Sequence, residues 1–587
     1  MYFYCVMLLA TSINPHLSFN FNVMRKLKSH SALTALMLLL GTFSFAQNEQ
    51  FIMRQLACGL SQPWEIKFGP DGFLWVTEAH SYQITRVDPV TGNAQLLIDL
   101  SNRKNFENFT GADVWPQGGL QGIAFHPNFN TNPYFYVAYV YDFDSCLSDT
   151  RGCFFKTKIV RYNYNMGTNL LSNETVLIDT IPGSSDHNGG RLVVGPAAPS
   201  SGGPNFLFYS VGDMGAGHAG SAERINHAQD VEIYEGKILR FNLLQDTDTD
   251  GFDRWIPNDN PFNSSERQSA VWSVGHRNPQ GLVFSPGGTL YESEHGPYSD
   301  DEINIIKRGN NYGWPLIVGY ADGNYDGSKG GRGFGIPEVG SEVGNRVDIE
   351  ASFPYSEPIG SYFPVSQSEV STYFTNDYNN TPPYPNYYLQ YPNIAPSGID
   401  YYSSDAIPGW KNSILVATLK LASVYRLKLA SDGSTIIGDT ISYFKGLGRF
   451  RDIAISPDGK KIYVSADSVG VIKGAPGQAV VPPNKGCILE FSFQTTGIDE
   501  ALLDQKIQVF PNPTELGITN LSLNLDYDAE VSIILYDITG QMITTVITEE
   551  RGKTFDKRID MNRFQPGNYF LKVSIDGTIV VRKLVHF

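Results

Sequence analysis

The stretch VWSVGHRNPQGLVFSPGGTLYESEHGPYSDDEINIIKRGNNYGWPLIVGYAD, Val271 to Asp322, holds the pattern from which the rest of the chain can be read. An apolar strand runs into His276-Arg277-Asn278-Pro279, and a hairpin turns through Ser285-Pro286-Gly287-Gly288. The return strand ends in Glu294-His295-Gly296-Pro297, ahead of the acidic pair Asp301-Glu302. Gly and Pro break both strands where the polar residues begin, so polar groups collect at strand ends, where loops carry function. An Arg beside an Asn, backbone carbonyls at a Gly-Pro and nearby carboxylates suit an anionic, oxygen-rich ligand bridged by a hard cation. The competing reading of the same residues is a capped hairpin with surface carboxylates.

Outward from this stretch the phrase repeats. An apolar strand, a Pro-Gly or Pro-Asn turn and an aromatic alternating strand recur as WEIKFGPDGFLWVTE, LQGIAFHPNFNTNPYFYVAYV, RLVVGPAAPSSGGPNFLFYSVGD, PQGLVFSPGGTLYESEHGP, PSGIDYYSSDAIPGWKNSILVATL and FRDIAISPDGKKIYVSAD. Each copy is followed by a third strand of the ILRFN type. Period-2 alternation with turns at fixed offsets predicts antiparallel sheet. Six sheets of about four strands, with no helical periodicity between them, predict an all-β chain whose main domain, residues 47–496, is a six-bladed β-propeller. In such a fold the loops at one end of every blade converge on the central axis.

The chain of 587 residues carries a net charge of −16, and no basic stripe is present to neutralise phosphates, so nucleic acid is excluded as a partner. Residues Met24 to Ala46 have a basic start, an apolar run and small residues before a cut, the pattern of a secretory signal peptide. Residues 1–23 then read as upstream sequence. Export places the protein in an oxidising compartment, and Cys58, Cys146, Cys153 and Cys487 remain after Cys5 is discarded. Three pairings are open. Cys146 with Cys153 across a short polar loop, and Cys58 with Cys487 across the whole main domain, is the favoured one.

Polar residues at corresponding strand ends form one constellation: Gln117, Asp186, His187, Asp213, Arg277, Asn278, Gly296, Pro297, Lys420, Arg449 and Arg451. Several cations around one histidine describe a pocket for a polyanion with a base beside it. Each has a plainer explanation, Asp186 as a turn residue, Lys420 as a solvated strand end, Arg451 paired with Asp452. His126, in a blade turn, reads as structural.

Through SSDHNGGRLVVGP, VGHRNPQGLVFSP, SEHGPYSDDEINIIKRGNNYGWP, LVATLK and RFRDIAISPDG, the chain resembles the soluble quinoprotein glucose/aldose sugar dehydrogenases over roughly residues 50–496. The resemblance implies pyrroloquinoline quinone (PQQ) and calcium as cofactors, an aldose substrate and an external electron acceptor, with a homodimer left open. It implies His187 as general base, Asp213 as its orienting partner, and Gln117 and Asp186 toward the sugar. It implies Arg277 beside the reacting carbonyl, with Gln117, Asn278, Lys420, Arg449 and Arg451 holding the cofactor. Gly296 and Pro297 would give carbonyl oxygens to the calcium, and Val318, Tyr320 and Asp322 to a second, with Glu357 as a further carboxylate. Tyr388 and Tyr391 align with an aromatic pair over the sugar. The chain departs from the family's glucose enzyme at His295, where that enzyme has Gln, at Tyr391, where it has Trp, and in the loop after Asp213 (MGAGHAGSAERINHAQD).

An insertion, QDTDTDGFDRWIPND, places Asp246, Asp248, Asp250 and Gly251 like the start of a calcium loop, but its twelfth position is Pro257 instead of Glu. Residues 497–587 change pattern to short alternating strands, predicting a small β-sandwich. Through VFPNP, LYDITGQ, PGNYFLKV and RKLV this segment resembles type IX secretion sorting domains, which implies secretion machinery as a partner and a secreted or cell-surface location. Two other functions compete with the dehydrogenase: a calcium-dependent lactonase-type propeller, which would lack the Lys420, Arg449 and Arg451 cage, and a non-catalytic sugar-binding propeller, which would lose His187 or Arg277.

Overall fold

The computed structural model describes residues 49–107, 115–147, 149–168, 170–199, 203–247, 253–378, 382–494, 506–575 and 578–587. The signal segment 24–46 and its upstream residues, Asp248, Asp250 and Gly251 of the calcium-like loop, and the start of the C-terminal segment at 497 lie outside the described residues. Asp253 makes an Asx turn, accepting from Trp255 N at 2.9 Å.

Six four-stranded antiparallel sheets account for residues 50–494. Their first strands are Pro63–Phe68, Leu120–Phe125, Leu192–Pro196, Pro279–Phe284, Pro396–Tyr402 and Phe450–Ile455. Each first strand touches the first strands of the blades before and after it, and the sixth touches the first, so the ring closes. Closure takes the two ends of the domain. In the last blade Ile488–Gln494 pairs on one side with Lys461–Ala466 and on the other with Gln50–Ala57, from the start of the domain. A disulfide between Cys58 and Cys487 spans 429 residues at this seam, and a second joins Cys146 to Cys153, the favoured pairing in both cases.

The blades are wedged apart by apolar cores that follow the same cyclic order. Trp75 of blade 1 packs against Phe125 and Phe135 of blade 2, with centroids 5.1 and 5.3 Å away. Leu192 and Tyr209 meet Tyr136 between blades 2 and 3, and Tyr402 and Leu415 meet Phe450 and Ile462 between blades 5 and 6. Strands such as Lys237–Asn242 are buried on both faces even at polar positions, where Lys237 donates to His227 O at 2.9 Å and Arg240 to Asn260 Oδ1 at 2.6 Å.

Polar groups plug the axis. Arg191 Nη1 pairs with Asp452 Oδ2 at 2.7 Å, and Arg191 Nε donates to Gln280 O at 3.0 Å. Asp452 Oδ2 also accepts from Ile66 N, and Glu65 Oε2 from Ile123 N, both at 2.9 Å, so these carboxylates tie neighbouring blades together.

Two helices lie where no helical periodicity was expected, α1 (Glu342–Glu350) before the last strand of the fourth blade and α2 (Gln367–Tyr378) on the connection to the fifth. The correction has a cause in the sequence. Only Glu342 and Ile349 of α1 are buried, so the helix carries no apolar stripe, and Ser341 caps it by accepting from Gly344 N.

The C-terminal segment is one five-stranded sheet. Its long strand Ile518–Asp537 pairs with Ile507–Phe510 near one end, with Gly567–Ile575 near the other and with Met542–Asp560 along its length, with a register break between Asn524 and Ala529. The two parts of this sheet share one core, from Ile507 to Leu584, so the sandwich is made by a single hydrogen-bonded sheet closing over itself.

Candidate active site

In an antiparallel blade the start of the first strand lies beside the end of the second. Pro279 pairs with Glu294, Pro396 with Thr418 and Phe450 with Ala466. Gln117, His187, Arg277 and Arg449 precede first strands, whereas Asp213, Gly296 and Lys420 follow second strands, so both sets belong to one end of the ring. Register shifts mark the opening of the first strands of blades 1, 2, 4, 5 and 6. Bulges at such positions re-aim side chains next to a site.

His187 is buried and sits at φ +48°, a left-handed conformation that non-glycine residues adopt only when their surroundings impose it. Asn188 imposes it. Its Oδ1 accepts from Ser184 N at 2.7 Å, its Nδ2 donates to Gln117 O and Ser184 O, both at 2.8 Å, and its N–H donates to Gln117 Oε1 at 3.0 Å. His187 Nδ1 lies 2.7 Å from Asp213 Oδ1. Asp213 is fixed in turn by Trp314 Nε1 at 2.8 Å and Asn226 Nδ2 at 3.2 Å on its other oxygen. The approach needs Gly212, since a Cβ there would stand 1.9 Å from the His187 carbonyl oxygen. With Nδ1 committed to a carboxylate, Nε2 is the nitrogen left to take a proton.

Asp186 stands beside the base, its Oδ1 3.8 Å from His187 Nε2 and 3.2 Å from Gln117 Nε2. Burial pushes its carboxyl up, but His187, His218 and Arg277 outweigh that and hold it far below the ordinary carboxylate range. His218 Nδ1 lies 2.5 Å from Asp186 Oδ2. His218 comes from the divergent loop after Asp213 and was not among the expected site residues. Trp314 and Asn226 were missed as well, because nothing in their local sequence shows that they converge on Asp213.

Across the mouth stand the cations. Arg277 N–H donates to Glu294 Oε2 at 2.6 Å, and its Nη1 to His295 O at 3.1 Å. Arg277 Nε and His295 Nε2 are buried and have no hydrogen-bond partner among the described residues. Burial, reinforced by Arg277, holds His295 neutral, its pKa well below the usual histidine value. Asn278 Oδ1 accepts from Gly189 N at 3.3 Å, binding blade 4 to the His187 turn. Lys420 is buried, not solvated, and donates to Tyr391 O at 2.7 Å. Burial lowers its pKa against the pull of Asp301. Arg451 pairs with Asp467, Nη2 to Oδ2 at 2.7 Å, and not with Asp452, and Arg449 Nε shares the same carboxylate at 3.1 Å. Arg451 also donates to Gln280 Oε1 at 2.8 Å, joining the mouth to the axial plug.

Asp301 clamps the Gly296-Pro297 turn. Its Oδ1 accepts from Gly296 N at 2.9 Å and its Oδ2 from Ile394 N at 2.6 Å and Ala395 N at 2.9 Å. Among the described residues neither the Gly296 nor the Pro297 carbonyl accepts a hydrogen bond, which leaves two hard oxygen donors for a cation such as calcium. In the neighbouring loop Glu302 and Glu342 accept from the N–H groups of Gly319 and Val318 at 2.8 and 2.9 Å, and Glu357 Oε2 reaches Ala321 N at 3.4 Å. The Tyr320 carbonyl accepts from Asp322 N at 2.8 Å. Tyr388 is half exposed, while Tyr391 is buried against Tyr298 and Tyr373, so the two do not form one open aromatic face. His126 is structural, its Nδ1 accepting from Asn128 N in its blade turn.

The family model for glucose/sorbosone dehydrogenase matches residues 60–341 and 366–473. The chain belongs to that family. Quinoprotein glucose dehydrogenase B of Acinetobacter calcoaceticus is 34% identical over 475 residues, covering 77% of this chain and 93% of that protein. Aldose sugar dehydrogenase YliI of Escherichia coli (strain K12) is 28% identical over 427 residues, 71% of this chain and 91% of that protein. The solved apo-form of the soluble aldose sugar dehydrogenase from Escherichia coli shares the fold, with a TM-score of 0.50 at 22% identity over 76% of this chain and all of the other. Residues 508–586 match a secretion system C-terminal sorting domain, which marks the protein for type IX secretion to an extracellular or cell-surface location.

Proposed function

We propose that this member of the glucose/sorbosone dehydrogenase family is a secreted quinoprotein that oxidises aldoses at the anomeric carbon to lactones, with PQQ and calcium as cofactors. The observation that carries the reading is the buried His187–Asp213 pair facing a cluster of cations at the same end of the ring. Arg277 makes no ion pair among the described residues, and Arg449 and Arg451 share a single carboxylate, so the cluster has positive charge to spare. Its two orphaned nitrogens suit a ligand rich in carboxylate and carbonyl oxygens. Lys420, Arg449, Arg451 and Asn278 would hold such a cofactor, and Gly296 and Pro297 would hold its calcium. When bound, PQQ supplies the electron sink that accepts the substrate's hydride.

The protein's own part is proton handling and placement. His187 Nε2 takes the proton of the anomeric hydroxyl, and Asp213 keeps the imidazole in the required tautomer and steadies the charge it gains. Arg277 stabilises negative charge on the oxygen opposite the base. Gln117 and Asp186 take substrate hydroxyls. A lactonase would need no such cation cluster, so no observation favours that alternative.

The test is reconstitution. Calcium-free, quinone-free protein should reduce a dye with glucose only after both PQQ and calcium are added. Full activity after exhaustive chelation, or with either cofactor withheld, would refute the assignment.

A further inference from the structure

His218 gives the sugar end of the mouth a second imidazole. Its ring centroid lies 5.3 Å from that of His187, the rings inclined at 33°, and Asp186 stands between them. One donor atom from each of Asp186, His187 and His218 falls within 4.8 Å of the others. We propose that these three side chains form a binding site for a nitrogen-preferring divalent cation of the zinc class, and that the ion competes there with the sugar.

The donor set decides the class of ion. Calcium takes six to eight oxygens, whereas two imidazoles and a carboxylate with an open fourth position are a zinc ligand set. The supporting contacts fit as well. His187 Nδ1 is held by Asp213, whose other oxygen is pinned by Trp314 and Asn226. A carboxylate behind the far nitrogen fixes the ring and raises the basicity of the nitrogen that faces a metal. His218 is 53% exposed, which opens a path for the ion from solvent. The cluster of His276, Glu292 and Glu294 also brings donor atoms within 4.8 Å, but all three are fully or almost fully buried and offer no such entry.

Binding asks for one local change. Ligand atoms about 2.1 Å from a tetrahedral zinc stand roughly 3.3 Å apart, wider than the 2.5 Å between His218 Nδ1 and Asp186 Oδ2. The proton between them must leave as the ion enters, so affinity should weaken as the pH is lowered. Arg277, whose charge also acts on the Asp186 carboxyl, opposes the ion and limits its affinity. An ion on His187 Nε2 occupies the lone pair that takes the substrate proton. That last consequence rests on the function proposed above, whereas binding itself does not.

The two are therefore measured apart. Equilibrium dialysis of zinc against the full chain, quinone-free and saturated with calcium, should show one zinc per chain in the micromolar range. His218→Gln should weaken it at least tenfold, Asp186→Asn similarly, and His126→Gln, in a remote blade turn, not at all. Near-ultraviolet circular dichroism checks that each variant keeps the native fold. Absence of that zinc, or equal affinity in folded His218→Gln, would overturn the site. In the reconstituted enzyme, zinc should raise the apparent KM for glucose at least tenfold with kcat unchanged, and His218→Gln should abolish the effect. Zinc that binds as described yet leaves KM unmoved would overturn the competition while the site stood. A chain with no dehydrogenase activity would still be judged by dialysis.

Discussion

The propeller's mouth and the C-terminal sheet use the same strand-forming residues and bury different things. At the mouth His187, Asp213, Arg277, Lys420, Arg451 and Asp467 are all buried, each held by a partner from another turn or blade. In the C-terminal sheet the buried set is apolar, Leu521, Val531, Leu571 and Val573 among them, and its buried polar residues are Thr514, Thr519 and His586 among those described. Burying charge is costly unless it is paired, and the propeller meets that cost where chemistry is done. The tail spends nothing on such groups, as expected of a module that is recognised by its surface.

The largest effect should come from the base. His187→Ala should lower turnover by about two to four powers of ten, the usual worth of a positioned general base. Its thermal midpoint should shift little, because the Asp213 carboxylate that loses His187 keeps hydrogen bonds from Gly215 N, Trp314 Nε1 and Asn226 Nδ2. Stopped-flow and steady-state rates on the quinone-loaded variant check this, with quinone affinity expected to stay within a few-fold. Near-normal turnover would move the base to another histidine of the mouth.

Next comes the axial plug, which sharpens the contrast in stability. Asp452→Ala removes the nearer of the two carboxylates paired with a buried Arg191, leaves Glu65 at 3.6 Å, and also frees the Ile66 N–H. Breaking a buried pair from one side costs about 3–5 kcal/mol. Leu571→Ala in the tail should cost a similar 2–5 kcal/mol, by cavity formation alone. Denaturant melts of the two variants should differ in kind. Asp452→Ala should lose activity along with propeller stability, since Gln280 ties the plug to Arg451, whereas Leu571→Ala should weaken only the tail. Unchanged propeller stability in Asp452→Ala would mean that the plug is filled by water at little cost.

How much of this was legible in the sequence follows from how each residue is held. The blades could be read, and so could the placing of His187, Arg277, Gly296, Lys420 and Arg451 at strand ends, because each sits in a repeating phrase; that Gln50–Ala57 completes the last blade could not. Both disulfides could be read as one favoured pairing of three. Trp314 could be seen within its motif, but its partner Asp213 is 101 residues away and only ring closure brings them together. Asp467 closes the sixth copy of the repeated phrase, but nothing in that phrase shows that it joins both arginines. His218 lay in the loop that matched nothing, and divergence hides a residue's partners even when it displays the residue. The first helix escaped because it carries no apolar stripe, and the second because its stripe is a single turn, Val370, Tyr373 and Phe374.

The smallest effect should follow removal of the tail. The mouth's site side chains precede Val471, whose carbonyl accepts from Arg449, and Lys473, whose N–H donates to Lys420 O at 3.0 Å, still lies before the tail. The tail's apolar core closes within residues 507–584, with no propeller residue in it. The place of the cut matters more than the cut itself. Ile488–Gln494 is the strand that joins the ends of the ring, paired with Gln50–Ala57 and Lys461–Ala466, and Cys487 carries the seam disulfide. Chain ending at residue 496 keeps all of these, so its kcat/KM for glucose should stay within about twofold and its thermal midpoint within a few degrees. Chain ending at residue 486 loses the closing strand and the disulfide. A disulfide alone is worth about 2–5 kcal/mol, against a total stability of about 5–15 kcal/mol, so that shorter chain should not fold. A tenfold fall in activity at 496 would show that the tail supports the mouth, and the contrast between the two regions would be one of composition only.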